Sequence, residues 1–220
     1  MYSNLPEATA QPSIDLGRIR ATPIRELNES ERTLFLQHLL SLGSKDRYLR
    51  FGGPFSDFAI ERYVAGIDWT SDTVFGVFDD GLELAAAGHF APLPRTTRAE
   101  ADALVRTAEF GLSVGDQARG RGLGTALFLR AAAHARNLGI SSLFMHCLSE
   151  NSAMMRIARK AGMDIRQTHG EADAYLALKP GTIATAIEEG VQRQVALIDF
   201  AVKRQLLLAR TTFAGLAPHN

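Results

Sequence analysis

The sequence predicts an α/β domain: a mixed β-sheet flanked by helices, with a C-terminal helical extension. Three observations predict it. Apolar runs of strand length alternate with longer runs at helical spacing from about residue 17 to residue 178. The strand-like run 108–114 leads into Gln117-Ala118-Arg119-Gly120-Arg121-Gly122-Leu123-Gly124-Thr125, which opens a helical pattern reaching Asn137. After Pro180-Gly181, residues 182–210 place Ile183, Ile187, Val191, Val195, Ile198, Val202 and Leu206 at three- and four-residue steps.

The elements follow in order. Residues 1–15 carry two prolines and few large apolar groups, and read as a loose tail. Residues 17–27 read as a first strand, although Pro23 interrupts them. Asn28 caps a helix to about Leu42, and Gly43 stops it. Residues 44–54 form a basic, aromatic segment with Lys45, Arg47, Tyr48, Arg50 and Phe51, open to contact with a substrate or to packing as a surface segment. Ser56 starts a short helix to about Ala65. Residues 73–78 and 82–90 form a hairpin around Asp79-Asp80-Gly81, followed by a loop at 92–98. After the central strand and helix come a strand at 142–148, a helix at 151–161 and a closing hairpin, 164–168 with 172–178. The domain is therefore 16–179 and the extension 180–220. The extension's apolar stripe needs a partner, either its own domain or a second copy in a homodimer.

Composition narrows the function. The 220 residues are 46% hydrophobic and 22% charged, an ordinary globular balance. Lys plus Arg (24) equals Asp plus Glu (24), so no global charge favours nucleic acid or an anionic membrane. Cys147 is the single cysteine, which excludes an intrachain disulfide and fits a reducing compartment. There is no apolar run of about 18 residues, and no basic-then-apolar leader. A cytoplasmic protein is expected. His89, His134 and His146 lack metal-ligand spacing, and no metal is expected. Cys147 has no evident triad and reads as a small buried hydrophobe.

The glycine loop lies where a strand hands over to a helix, so free amides and the helix dipole favour an anion there. A dinucleotide fold requires Gly-x-Gly-x-x-Gly and an acidic residue ending the next strand. Here Gly120, Gly122 and Gly124 recur at every second position, and strand 142–148 ends without Asp or Glu. The Gly-Lys-Ser/Thr of a nucleotide P-loop is absent.

The loop resembles the acetyl-CoA loop of the GNAT superfamily of N-acetyltransferases. A second element agrees: Asn151 opens Ser152-Ala153-Met154-Met155-Arg156-Ile157-Ala158-Arg159-Lys160-Ala161-Gly162-Met163, similar to the family's Asn-led helix. Ala108-Glu109-Phe110-Gly111-Leu112-Ser113-Val114, with Arg47-Tyr48-Leu49-Arg50-Phe51, resembles the catalytic domain of bacterial Pat-type protein-lysine acetyltransferases.

The resemblance implies acetyl-CoA as cosubstrate and direct attack by an amine in a ternary complex. It implies pantetheine pairing with Leu112, Ser113 and Val114, and phosphate contacts from Arg119, Gly120, Arg121, Gly122, Leu123, Gly124 and Thr125. Asn151 would add a polar contact, and Glu109 would be the general base. A base matters because an alkylamine with pKa near 10.4 is neutral in only about one molecule in 2,500 at pH 7. A purely structural Glu109 paired to an arginine such as Arg106 is the competing reading. The family often has a tyrosine, the acid toward the leaving thiolate, where this chain has Ala158. Ser149, Ser152 or water remain for that role. The acceptor is expected to be a protein lysine, with a small amine or amino-sugar antibiotic second. A non-catalytic acyl-CoA sensor or partner-binding module is the alternative from another class.

Overall fold

The structure, a computed structural model, describes residues 22–94 and 106–214, without the side chains of the last two. The expected tail at 1–15, the start of the first strand and most of the 92–98 loop lie outside the described residues.

Seven strands form one sheet: β1 (Arg25–Leu27), β2 (Thr73–Phe78), β3 (Leu84–Pro92), β4 (Thr107–Val114), β5 (Ser142–Leu148), β6 (Asp164–Thr168) and β7 (Glu171–Ala177). Their order is β1-β2-β3-β4-β5-β7-β6, antiparallel everywhere except β4–β5. The helices are α1 (Arg32–Ser41), α2 (Ser44–Phe51), α3 (Asp57–Ala65), α4 (Leu123–Asn137), α5 (Ser152–Lys160) and α6 (Ile183–Ala214).

Strand alternation sorts the two faces. Phe110 and Leu112 of β4 are buried with Leu127, Phe128, Leu143, Met145 and Met155 in a core under α4 and α5. On the other face, Phe35, Leu39, Ile60, Val64 and Val74 form a second core under α1 and α3. Cys147 lies buried in the first core, and burial pushes its thiol pKa up.

The parallel pairing of β4 with β5 is short. It runs Thr107↔Ser142, Ala108↔Leu143 and Glu109↔Phe144, then stops. β5 continues along β7 to Leu148↔Glu171, while β4 keeps β3 to Ala86↔Val114. From Phe110 onward, the β5-facing edge of β4 has no strand partner among the described residues.

Two expectations need correction. Within residues 44–54, read as a basic, aromatic segment with no element assigned to it, 44–51 form α2, closed by Gly52 at φ +76°. An eight-residue helix is too short to show a clear apolar period. Second, the helix expected from Asn28 opens as a 3₁₀ turn (Glu29–Glu31) with a capping box between Asn28 and Glu31, and α1 follows.

Helix α6 crosses α4 through polar groups. Glu189 accepts from buried Arg130 (2.6 Å), from His134 (2.7 Å) and from Asn137. Arg130 also donates to Glu26 (2.6 Å). Glu26, His134 and Glu189 lie close enough together to suggest a cation site. The guanidinium of Arg130 already bridges both carboxylates and supplies that positive charge.

Candidate active site

The glycine loop forms its turn where left-handed backbone is required. Gly120 has φ +74° and Gly122 φ +82°, a region that side chains other than glycine disfavour. Gly122 caps α4 without a side-chain bond, and the first intrahelical bond runs from Ala126 N–H to Gly122 C=O. The amides of Leu123, Gly124 and Thr125 thus stand at a bare helix N-terminus. Gly124 is held for a different reason: a Cβ there would come within 3.2 Å of Ile157 and 3.4 Å of Leu112.

This helix start opens into a cleft of about 710 Å³. Its walls include Leu112, Ser113 and Val114 of β4, the loop residues Arg119, Gly120, Gly122, Leu123, Gly124 and Thr125, and Asn151. Of the cofactor-binding set expected from sequence, Arg121 alone is outside the wall, on the exposed surface. Arg119 is already paired with Asp46 and with Asp116 (2.7 Å), so its charge is shared with two carboxylates. Lys45, Arg156 and Lys160 line the cleft as well, cations that sequence reasoning did not assign to it. They belong to α2 and α5, so no local motif joins them to the loop.

Asn151 does two jobs. Its Oδ1 accepts from Met154 N–H (3.2 Å) as the cap of α5, and its Nδ2 donates to Leu49 C=O (3.2 Å), tying α2 across the gap beyond β4. Ala158 is 1% exposed and packs in the core, so it presents nothing to the cleft. Ser152 lines the cleft, whereas the Ser149 hydroxyl donates to Gly170 C=O (3.0 Å).

Glu109 is exposed on the face opposite the α4 core, at the last residue of β4 that pairs with β5. Phe144 stands beside it, and Tyr175 beside Phe144, with ring centroids 4.8 Å apart. Arg106 donates instead to Leu138 C=O (2.7 Å), so the expected alternative, a Glu109–Arg106 pair, is not formed.

The same face carries polar groups the sequence did not connect. The Arg50 guanidinium lies against Gly111, whose Cβ would sit 2.5 Å from Arg50 Nη2. Arg50 donates to the Tyr63 hydroxyl (3.0 Å), Tyr63 to His89 Nδ1 (2.7 Å), and His89 Nε2 to Asp72 (3.0 Å). Burial holds the His89 pKa low despite Asp72, which favours the neutral ring this chain of bonds requires. His38 is similar: burial lowers its pKa, Nδ1–H donates to Leu84 C=O (2.7 Å), and Nε2 accepts from Ser113 Oγ (2.9 Å). These residues come from α1, α2, α3, β3, β4 and the end of the α3–β2 connection, which meet only in the fold. Tyr63→Phe removes the link between Arg50 and His89. It is expected to lower stability by about 1–3 kcal/mol, read as a fall in the thermal midpoint.

A glycine turn at a bare helix start, beside two strands that part after three residue pairs, decides the comparison. The family model described as an acetyltransferase (GNAT) domain matches residues 24–164. The chain belongs to the GNAT acetyltransferase family. Members of this family use acetyl-CoA. Solved structures agree in fold. The GNAT domain of S. lividans PAT is 22% identical, with a TM-score of 0.58, covering 70% of this chain and 89% of that one. An N-acetyltransferase from Staphylococcus aureus Mu50 is 17% identical (TM-score 0.54; 71% and 98% covered). A spermidine N-acetyltransferase from Vibrio cholerae, solved with CoA and spermine, is 17% identical (TM-score 0.52; 70% and 94%). No curated protein sequence matches the chain. Among the described residues, no helix is long and apolar enough to cross a membrane.

Proposed function

We propose that this GNAT protein transfers an acetyl group from acetyl-CoA to a primary amine by direct attack, with Glu109 as general base. The observation that carries the reading is the continuity of the cleft. It joins the bare start of α4 to Leu112–Val114, on the edge of β4 that β5 leaves; Glu109, outside its wall, is the last residue before that edge opens. The amides of Leu123 to Thr125 suit the pyrophosphate, with Lys45, Arg156 and Lys160 adding charge nearby. The free edge of β4 offers backbone groups to the amide-bearing arm.

In the reaction, Glu109 takes a proton from the acceptor ammonium, directly or through one water. The neutral nitrogen attacks the thioester carbon, the C–S bond breaks, and the thiolate leaves. The proton released from the new amide nitrogen returns to solvent or to the thiolate. With Ala158 buried, Ser152 or water protonates the sulfur. An ordinary thiol pKa of about 8.5 makes that proton a modest requirement near neutrality.

The acceptor we infer is a lysine side chain of a protein, as for a stand-alone Pat-type catalytic domain. The Pat-like β4 sequence supports this. So does the row Glu109–Phe144–Tyr175, half-buried rings beside an exposed carboxylate, where an alkyl stem can lie along Phe144 with its ammonium at Glu109 while Arg166 covers Tyr175. Thiol release from acetyl-CoA, measured with lysine peptides, polyamines and aminoglycosides, tests it. Release with the peptides in preference to the others supports the reading. Tight CoA binding with no release for any amine supports the acyl-CoA sensor instead, which the missing tyrosine would fit.

A further inference from the structure

Helix α6 is amphipathic the wrong way round for a helix that only covers its own domain. The side it turns to the domain is largely polar: Glu189 meets Arg130 and His134, Thr185 bonds Asn137 (2.8 Å), and Lys203 donates to Phe78 C=O (2.9 Å). Ala196 and Phe200 are the main apolar groups there, with Phe200 packed on Phe78. The apolar stripe points outward. Ile187, Val191, Val195, Ile198, Val202 and Leu206 are each 51% to 63% exposed, and Ile183 is 83% exposed.

We propose that this stripe is the seam of a homodimer in which two α6 helices pair antiparallel about a two-fold axis between residues 196 and 197. The spacing is the first argument. From Ile187 to Leu206 the steps are 4, 4, 3, 4 and 4, the same read in either direction. An antiparallel copy in that register sets Ile187 against the partner's Leu206, Val191 against the partner's Val202, and Val195 against the partner's Ile198. A two-fold contact requires this self-complementarity, and a different partner protein would not select it. Size is the second argument. Six half-exposed aliphatic side chains, with Ile183 and Leu208 at the ends, offer on the order of 700 Å², close to the ~800 Å² per partner of a standard interface. A monomer's largest exposed patch is usually about 300–600 Å². Charge is the third. A helix lying on an anionic membrane carries Lys and Arg beside its apolar face. Here Arg193 reaches Glu26 (3.1 Å) and Lys203 reaches Phe78 C=O, both toward the protein's own domain. The two remaining cations, exposed Arg204 and Arg210, share the helix with Glu188, Glu189 and Asp199, so it carries no cationic excess like that of a membrane-surface helix.

The proposal is independent of the acetyl-transfer reading, since neither Glu109 nor the cleft lies on α6. Its test is the solution mass of the full chain by light scattering at tens of micromolar. The wild type is expected at twice the chain mass. V191E and V202K, both on exposed positions, are each expected to be monomeric, folded by circular dichroism, and unchanged in thiol release, with a thermal midpoint that no longer rises with protein concentration. The double variant V191E/V202K is expected to return to the dimer, because the two-fold places Glu opposite Lys on both sides. A monomeric wild type overturns the proposal, including one that instead binds anionic vesicles. So does a dimer that survives V191E, and failure of the double variant to re-form overturns the antiparallel register.

Discussion

If Glu109 is the general base proposed above, Glu109→Gln is expected to lower kcat for acetyl transfer about 10²- to 10³-fold at pH 7, with CoA affinity unchanged within about twofold. The size follows from what the base is asked to do. An ordinary alkylamine is almost entirely protonated at neutral pH, and only the neutral form attacks. Glu109 is exposed at the end of the β4–β5 pairing and outside the cleft wall, so its amide isostere leaves the CoA-lined surface intact. The defect should shrink as pH rises toward 10, where the acceptor deprotonates without help. Steady-state thiol release from pH 6.5 to 10, with CoA affinity by calorimetry, reads both parts. A variant equally active at pH 7 removes Glu109 from the mechanism. A pH-independent loss assigns it to positioning.

Glu189→Ala destabilises the protein by about 3 kcal/mol, lowering the thermal midpoint by roughly 10 °C. The carboxylate is buried between α6 and α4 and accepts bonds from Arg130, His134 and Asn137. Removing it leaves Arg130 with Glu26 as its remaining ion-pair partner, and Asn137 and His134 each lose an acceptor. Burial alone would raise the Glu189 pKa; the bonds from His134, Asn137 and Arg130 outweigh it and hold the pKa far below the ordinary 4.5. The sign follows. A depressed carboxylate contributes full stability above the unfolded value and loses it as pH falls from there toward the folded one. The gap between wild type and variant is therefore constant from pH 7 to about 5 and narrows in more acid solution. Thermal melts followed by circular dichroism across pH 3 to 7 measure it, and a gap that widens in acid contradicts the account.

The fold was legible where the sequence signal is local. The glycine loop reads as a strand-to-helix turn because Gly120 and Gly122 take up backbone that few other residues tolerate. The alternation of Glu109, Gly111 and Ser113 against Phe110, Leu112 and Val114 gives the faces of β4, and the register agrees. Asn151 reads as a helix cap for the same local reason. What stayed hidden depends on elements distant in the chain. Arg50, Tyr63, His89 and Asp72 form a chain of bonds across α2, α3, β3 and the end of the α3–β2 connection. No spacing rule links them. Arg119 carries the charge expected of a phosphate ligand, yet Asp46 on α2 claims part of it. The stripe on α6 was visible as periodicity, but periodicity does not say which way it faces. The polar bonds of Glu189 and Lys203 turn it outward.

Initial-rate kinetics with acetyl-CoA and a lysine peptide varied together, with the acetylated peptide confirmed by mass, test the central claim most directly. Direct transfer within the cleft predicts double-reciprocal lines that intersect, and no acetyl group retained on the protein. Parallel lines, with an acetylated protein isolated before the peptide is added, would contradict it.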